Sequence, residues 1–191
     1  MGTAVGTKLP AMAYGMHDDK PLLHRGVRVA VREVQLPRVV GAPERREVVE
    51  AADAVVILPL LDGDRVVLIR NHRYAVNETL WELPAGTLEP GEDTAAAAPR
   101  ELTEETGYAA GHVEPLTRFY AVPGFCTECL HAFRASDLQH VGQHLDASEQ
   151  IEVVPTKWAD ALAMVREGVI HDAKTIATLL YHEAFGRDTT P

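Results

Sequence analysis

The sequence predicts a mixed α/β (α+β) fold, and three observations carry that prediction. Residues 25–34 alternate Val27, Val29 and Val31 with Arg28 and Arg32, the period of a half-buried strand. Residues 54–60 (AVVILPL) form an apolar run joined to residues 66–70 through Asp62-Gly63-Asp64, which reads as a β-hairpin. Downstream, Asp93 or Thr94 can cap a helix that runs to about Thr106 and stops at Gly107.

The elements follow in order. Residues 1–24 read as a loose leader without periodicity. After the strand at 25–34, Pro37, Gly41 and Pro43 mark a turn, and a second strand begins at Arg46 and reaches Glu50. The block 25–50 is too small to bury a core alone, so it must pack on the rest of the chain or on another subunit. The hairpin follows. Residues 71–92 read as loops punctuated by Pro84, Gly86, Pro90 and Gly91. Beyond the helix, strands are expected at 116–122 and 129–135, flanking Pro123-Gly124. A polar loop at 136–149, a strand at 151–154 and helices near 158–167 and 173–185 complete the chain.

With 191 residues, 46% apolar and 24% charged, the chain can bury one core with room for a small appended subdomain. Lys plus Arg number 18 and Asp plus Glu 28, a net charge of −10. Such a chain lacks the cation excess that nucleic acids require, and an anionic leaflet would repel it. No apolar run approaches the ~20 residues of a membrane span. Pro10, Asp18 and Asp19 interrupt any secretory core, and two cysteines cannot build a disulfide framework. The expectation is a cytoplasmic protein with neither nucleic-acid nor membrane partners.

Chemistry concentrates in residues 86–108, GTLEPGEDTAAAAPRELTEETGY. Glu101, Glu104 and Glu105 stand at i, i+3 and i+4 and share one helical face. Their carboxylates repel one another unless a hard cation converts repulsion into coordination, and Mg²⁺ or Mn²⁺ suits such oxygens. Three glutamates alone also describe a solvated acidic face. The neighbours decide the reading. Gly86, Glu92, Arg100, Glu101, Leu102, Glu104, Glu105 and Gly107 fit G-x5-E-x7-R-E-U-x-E-E-x-G-U, where U is apolar. This segment resembles the Nudix box. Tyr108 stands where Ile, Leu or Val is usual, which predicts local repacking. Pro99 within the helix cannot donate to Ala95; its place near the first turns limits the damage, but the angle at which the glutamates meet a metal is open to change.

The resemblance implies an α/β/α sandwich that cleaves nucleoside diphosphate derivatives with Mg²⁺ or Mn²⁺. By the same resemblance Glu101, Glu104, Glu105 and the Ala85 carbonyl hold metal, while Gly86, Glu92, Arg100 and Gly107 are structural. Dications would neutralise the diphosphate, acidify water and align its attack. Glu82-Leu83-Pro84-Ala85-Gly86 and the later Pro123-Gly124 resemble the ADP-ribose pyrophosphatase group, as does the N-terminal strand block, through which such enzymes form swapped dimers, so the resemblance implies a homodimer.

Further roles are carried over position by position. Arg73 matches an arginine on the substrate phosphates, a task suited to its fork. Glu82 matches a glutamate near substrate and metals. Gly124 and Glu128, in the Pro-Gly loop, match substrate-contacting positions. Glu149 is the expected general base, and Glu104 and Glu105 are grouped with it as catalytic. Cys126 and Cys129 form a lone C-x-x-C, expected to be free buried thiols rather than a zinc or redox centre. The implied reaction takes ADP-ribose to AMP and ribose 5-phosphate. Nucleotide sugars, FAD, dinucleoside polyphosphates or a non-catalytic sensor are the alternatives. The implied organisation is a leader (1–24), a dimerising β region (25–50), a Nudix domain (51–185) and a tail (186–191).

Overall fold

The computed structural model describes residues 17–38, 40–145 and 150–186. The first strands are β1 (Leu22–Arg25), β2 (Val29–Leu36) and β3 (Glu44–Ala51). Next come β4 (Ala54–Leu61), β5 (Arg65–Arg73), β6 (Glu78–Glu82), β7 (Ala85–Thr87) and helix α1 (Thr94–Thr106). Strands β8 (Tyr108–Tyr120), β9 (Cys129–His140) and β10 (Ile151–Lys157) follow, then α2 (Trp158–Arg166), α3 (Ala173–Tyr181) and a π-helical turn (His182–Gly186). No helix among the described residues is long and apolar enough to cross a membrane.

Strand β4 explains the layering. Its residues are apolar on both faces because both faces are covered. Val55 and Ile57 pack with Ala97, Ala98 and Leu102 of α1 and with Phe133 and Ala135 of β9. Val56 and Leu58 pack on the other side with Leu83, Trp158, Ala161, Ile170 and Leu179. Helices therefore sandwich a mixed sheet of order β10-β5-β4-β9-β8, with β6 added to β5 and β7 to β4. β4 and β9 run parallel, and the other pairings in this sheet are antiparallel.

Several boundaries differ from the sequence expectation. The end of the leader forms β1, which pairs with β2 although its residues are exposed and show no burial period. The stretch expected as loops holds the end of β5 and the short strands β6 and β7; Pro84 interrupts them but still accepts the Ile57 N–H at 2.9 Å. β8 starts directly after Gly107 and extends through Gly111 and Pro115, which disguise it as loop. It is an edge strand with a register shift between Pro115 and Thr117, the setting in which a sheet tolerates proline. β9 likewise continues to His140 into the expected polar loop, whereas α1 spans the expected residues with Pro99 inside it. The C-terminal helix gives way to the π-helical turn after Tyr181.

The N-terminal strands form their own sheet, β1-β2-β3. Inside it, Arg32 donates Nε–H to Glu50 at 2.6 Å, and both side chains are buried. The sheet docks on the same chain's Pro-Gly turn. Val49 N–H donates to the Phe125 carbonyl at 2.7 Å, Thr127 N–H to the Val49 carbonyl at 3.0 Å, and Ala51 N–H to Thr127 Oγ1 at 3.1 Å. This block thus finds packing partners within its own subunit, while Leu22, Leu23, Val27 and Leu36 stay exposed.

Candidate active site

Local sequence fixes the acidic helix at both ends. The Asp93 side chain accepts the Ala95 N–H at 2.9 Å, and Gly107 closes the helix with φ 71° while donating to the Thr103 carbonyl. A Cβ on Gly107 would also lie 2.8 Å from the Gly142 backbone, so both conformation and space require glycine. Tyr108 follows at once and meets His140 edge to face, with centroids 5.3 Å apart.

With Ala97, Ala98 and Leu102 turned to the sheet, Glu101 and Glu105 reach β7. Glu105 is 3% exposed and accepts the Ala85 N–H at 2.8 Å. The Glu101 carboxyl lies over Gly86, while Glu104 is the most solvated of the three. Arg100 ties the group together. It grips Glu92 through two hydrogen bonds of 2.9 Å and reaches Glu104 and Glu101, each at 2.9 Å. Glu92 also accepts the Glu89 N–H at 2.9 Å, so the loop before the helix is laced to it.

The Arg100 guanidinium holds the Glu92 carboxyl below the usual carboxylate range. A depressed folded value means that this stabilisation is complete above the unfolded value of about 4.3 and is lost as pH falls through the folded one. The gap in Tm between wild type and Glu92→Gln should therefore be widest near neutrality and narrow below about pH 4. Thermal melts across that range check it.

Facing the helix is a second charged group. Ile69, Asn71 and Arg73 of β5 lie opposite Glu82, Leu80 and Glu78 of β6, and alternate residues share a face. Arg73 can therefore fold back onto Glu82, donating Nε–H to it at 2.7 Å with a second bond from Nη2. Glu82 is fully buried and also accepts from Lys174 of α3. Asp172 caps α3 through the Thr175 N–H at 3.0 Å and pairs with Lys174 at 3.0 Å. Thr175 Oγ1 accepts the Leu83 N–H at 2.8 Å, fixing the chain between Glu82 and Ala85. Glu82 raises the Arg73 guanidinium further above its ordinary value, and the field of Glu105 adds to this. One buried carboxylate thus sits between two cations beside the acidic helix.

Glu128 joins the same region. Burial pushes its carboxyl upward, Asp53 adds to the rise, and Lys174, Arg28 and Arg73 oppose it. Arg28, from the N-terminal sheet, also donates to Thr87 Oγ1 at 3.3 Å beside the glycine loop. Gly124 is exposed at the tip of the turn with open space around it. Glu149 lies outside the described residues. Sequence reasoning missed Lys174. Its only signal is a helix start at Asp172, because a lone lysine has no spacing to mark it.

The residues fit a divalent cation on two observations. Glu101, Glu104 and Glu105 offer carboxylate oxygens, the kind of donor a hard ion takes. Gly86 supplies the room: a Cβ there would stand 1.8 Å from the Glu101 carboxyl carbon. Gly86→Ala should accordingly drive that carboxylate out of place and remove most hydrolytic activity. Activity with a parallel circular dichroism spectrum checks it.

The NUDIX domain signature matches residues 50–179. The chain belongs to the Nudix family. As a Nudix hydrolase it acts on pyrophosphate bonds, and such enzymes generally require divalent metal. It is 37% identical over 153 residues to an ADP-ribose pyrophosphatase of Bacillus subtilis (strain 168), covering 79% of this chain and 82% of that one. It is 38% identical over 148 residues to a GDP-mannose pyrophosphatase of Citrobacter koseri, covering 72% and 76%. A crystal structure of an ADP compounds hydrolase superposes with a TM-score of 0.76 at 23% identity, covering 87% of this chain and 93% of that one, a likeness of fold.

Proposed function

We propose that this Nudix hydrolase cleaves ADP-ribose to AMP and ribose 5-phosphate with Mg²⁺ or Mn²⁺. The observation that carries the reading is the nearness of two charge sets: Glu101 over Gly86 and Glu105 on Ala85, with Glu104 tied to Glu101 through Arg100, and Arg73 with Lys174 around Glu82, where the field of Glu105 reaches Arg73. A diphosphate needs both, cations for its oxygens and carboxylates for its metal. The similarity to the Bacillus subtilis ADP-ribose pyrophosphatase supports ADP-ribose within that class.

In this reading the carboxylates of Glu101, Glu104 and Glu105 and the Ala85 carbonyl hold the metal. When bound, a divalent ion neutralises the diphosphate and acidifies a water molecule. Arg73 binds phosphate oxygens with the amino group that Glu82 does not engage, and Lys174 adds a point charge. Glu82 keeps both cations in place without solvent reorganisation. Arg100 and Glu92 brace the loop before the helix, with Gly107 closing the helix behind them. Glu128 and Gly124 form the wall on the Pro-Gly side. Glu149, by its resemblance to the base of the ADP-ribose group, accepts the proton of the attacking water.

GDP-mannose is the second reading, favoured by the similarity to the Citrobacter koseri pyrophosphatase. A panel of ADP-ribose, GDP-mannose and FAD under one Mg²⁺ condition, with products resolved chromatographically, separates them. ADP-ribose should give the highest kcat/KM; a clear preference for GDP-mannose overturns the first reading, and binding without turnover would indicate a sensor. We also infer a Nudix domain over 51–185 and a cytoplasmic homodimer formed through 25–50. The exposed Leu22, Leu23, Val27 and Leu36 on the N-terminal sheet support the dimer. Light scattering at micromolar concentration tests it.

A further inference from the structure

Beside the glutamate site, a second cluster of metal-binding side chains is assembled from distant parts of the chain. β4 and β9 run parallel, with Ala54 level with Leu130 and Val55 level with His131. Asp53 immediately precedes β4. Cys129 opens β9, and His131 two residues on shares its face. One ligand atom from each of Asp53, Cys129 and His131 lies within 4.8 Å of the others, and all three residues are buried. Asp53 is held in place: its carbonyl accepts the Leu88 N–H at 2.9 Å, and its carboxylate meets the Cys129 N–H at 3.3 Å and His131 Nε2 at 3.1 Å.

We infer that Asp53, Cys129 and His131 form a site for a borderline-soft divalent ion of the Zn²⁺ class, separate from the Mg²⁺/Mn²⁺ glutamates. The donor chemistry selects the ion. One sulfur, one imidazole nitrogen and one carboxylate oxygen match tetrahedral zinc, whereas Mg²⁺ demands six oxygens. Zinc bonds of about 2.0–2.3 Å put tetrahedral ligand atoms roughly 3.4–3.8 Å apart, and the three atoms here already lie within 4.8 Å of one another. Charge agrees as well. A thiolate and a carboxylate together balance a dication, so the filled centre is neutral and suits burial. On binding, the thiol proton passes to solvent and the ion replaces the Asp53–His131 hydrogen bond.

Three protein ligands leave a fourth position for water or a ligand. Cys129 meets not Cys126 of the C-x-x-C but Asp53, 76 residues away. Glu128 directly precedes Cys129, and Lys174 and Arg73 act on its carboxyl. An ion here would pin the end of the Pro-Gly turn that carries Glu128.

The test uses the intact chain in excess Mg²⁺, which occupies the oxygen site. Added Co²⁺ should develop a thiolate-to-metal charge-transfer band that saturates at one equivalent and disappears when Zn²⁺ is added. The band should be absent in Cys129→Ser and retained in Cys126→Ser. His131→Ala should weaken Co²⁺ binding by at least the ~10–100-fold that loss of an outer-shell partner already costs. No band in the wild type, or a band that depends on Cys126 and survives Cys129→Ser, overturns the site. Native mass spectrometry of the unsubstituted chain reads the same point independently of variant folding. One Zn²⁺ retained per chain in excess Mg²⁺ supports the site, and none refutes it.

Discussion

Glu105→Gln should lower kcat for pyrophosphate hydrolysis by about 10³-fold while leaving the fold intact. The substitution separates charge from packing. Glu105 is nearly buried and receives the Ala85 N–H, a bond that the amide oxygen of glutamine can still accept. What glutamine lacks is the anionic oxygen that a hard cation requires. The expected signature is a collapse of kcat with a Tm within a few degrees of wild type. A rate close to wild type would remove the acidic helix from the chemistry, whatever the rest of the site does.

Glu82→Ala is expected to have the largest effect on stability. The carboxylate is fully buried between Arg73 and Lys174, and its removal leaves two cations facing each other at the end of β6. Deleting one member of a buried pair typically costs 3–5 kcal/mol; because Arg73 retains some access to water, a loss on the order of 3 kcal/mol is expected. For a chain of this size that lowers Tm by roughly 6–12 °C, read by calorimetry. Adding Lys174→Met to Glu82→Leu should recover part of the loss, since it removes one uncompensated charge. A Tm for Glu82→Ala equal to wild type would mean that the network is not holding the cations.

The glutamate half of the site was legible because its residues are close in sequence and their spacing is set by one helix. Asp93 and Gly107 bounded that helix, and i, i+3, i+4 placed its carboxylates. The hairpin of β4 and β5 was legible for a similar reason, since its turn and its apolar run are local. The other half depends on distance. Lys174 reaches Glu82 across 92 residues, and Asp53 reaches His131 across 78, separations that no local period encodes. β6, β7 and the long β8 were hidden because their strands come from pairing rather than from alternation. Pro84 between β6 and β7, and Gly86, Gly111 and Pro115 within the strands, act as punctuation, and the sheet tolerates each through an accepting carbonyl, a close approach or a register shift. The leader's last residues became β1 because β2 offered an edge, not because their own pattern asked for it.

The central claim is that Glu101, Glu104 and Glu105 gather a dication beside Gly86. Electron paramagnetic resonance of Mn²⁺ tests it most directly, because the free ion's signal falls as ions bind. Wild type should bind Mn²⁺ in competition with Mg²⁺, with the affinity sharply reduced in Glu101→Gln and Glu105→Gln. Equal binding by wild type and both variants would contradict the claim.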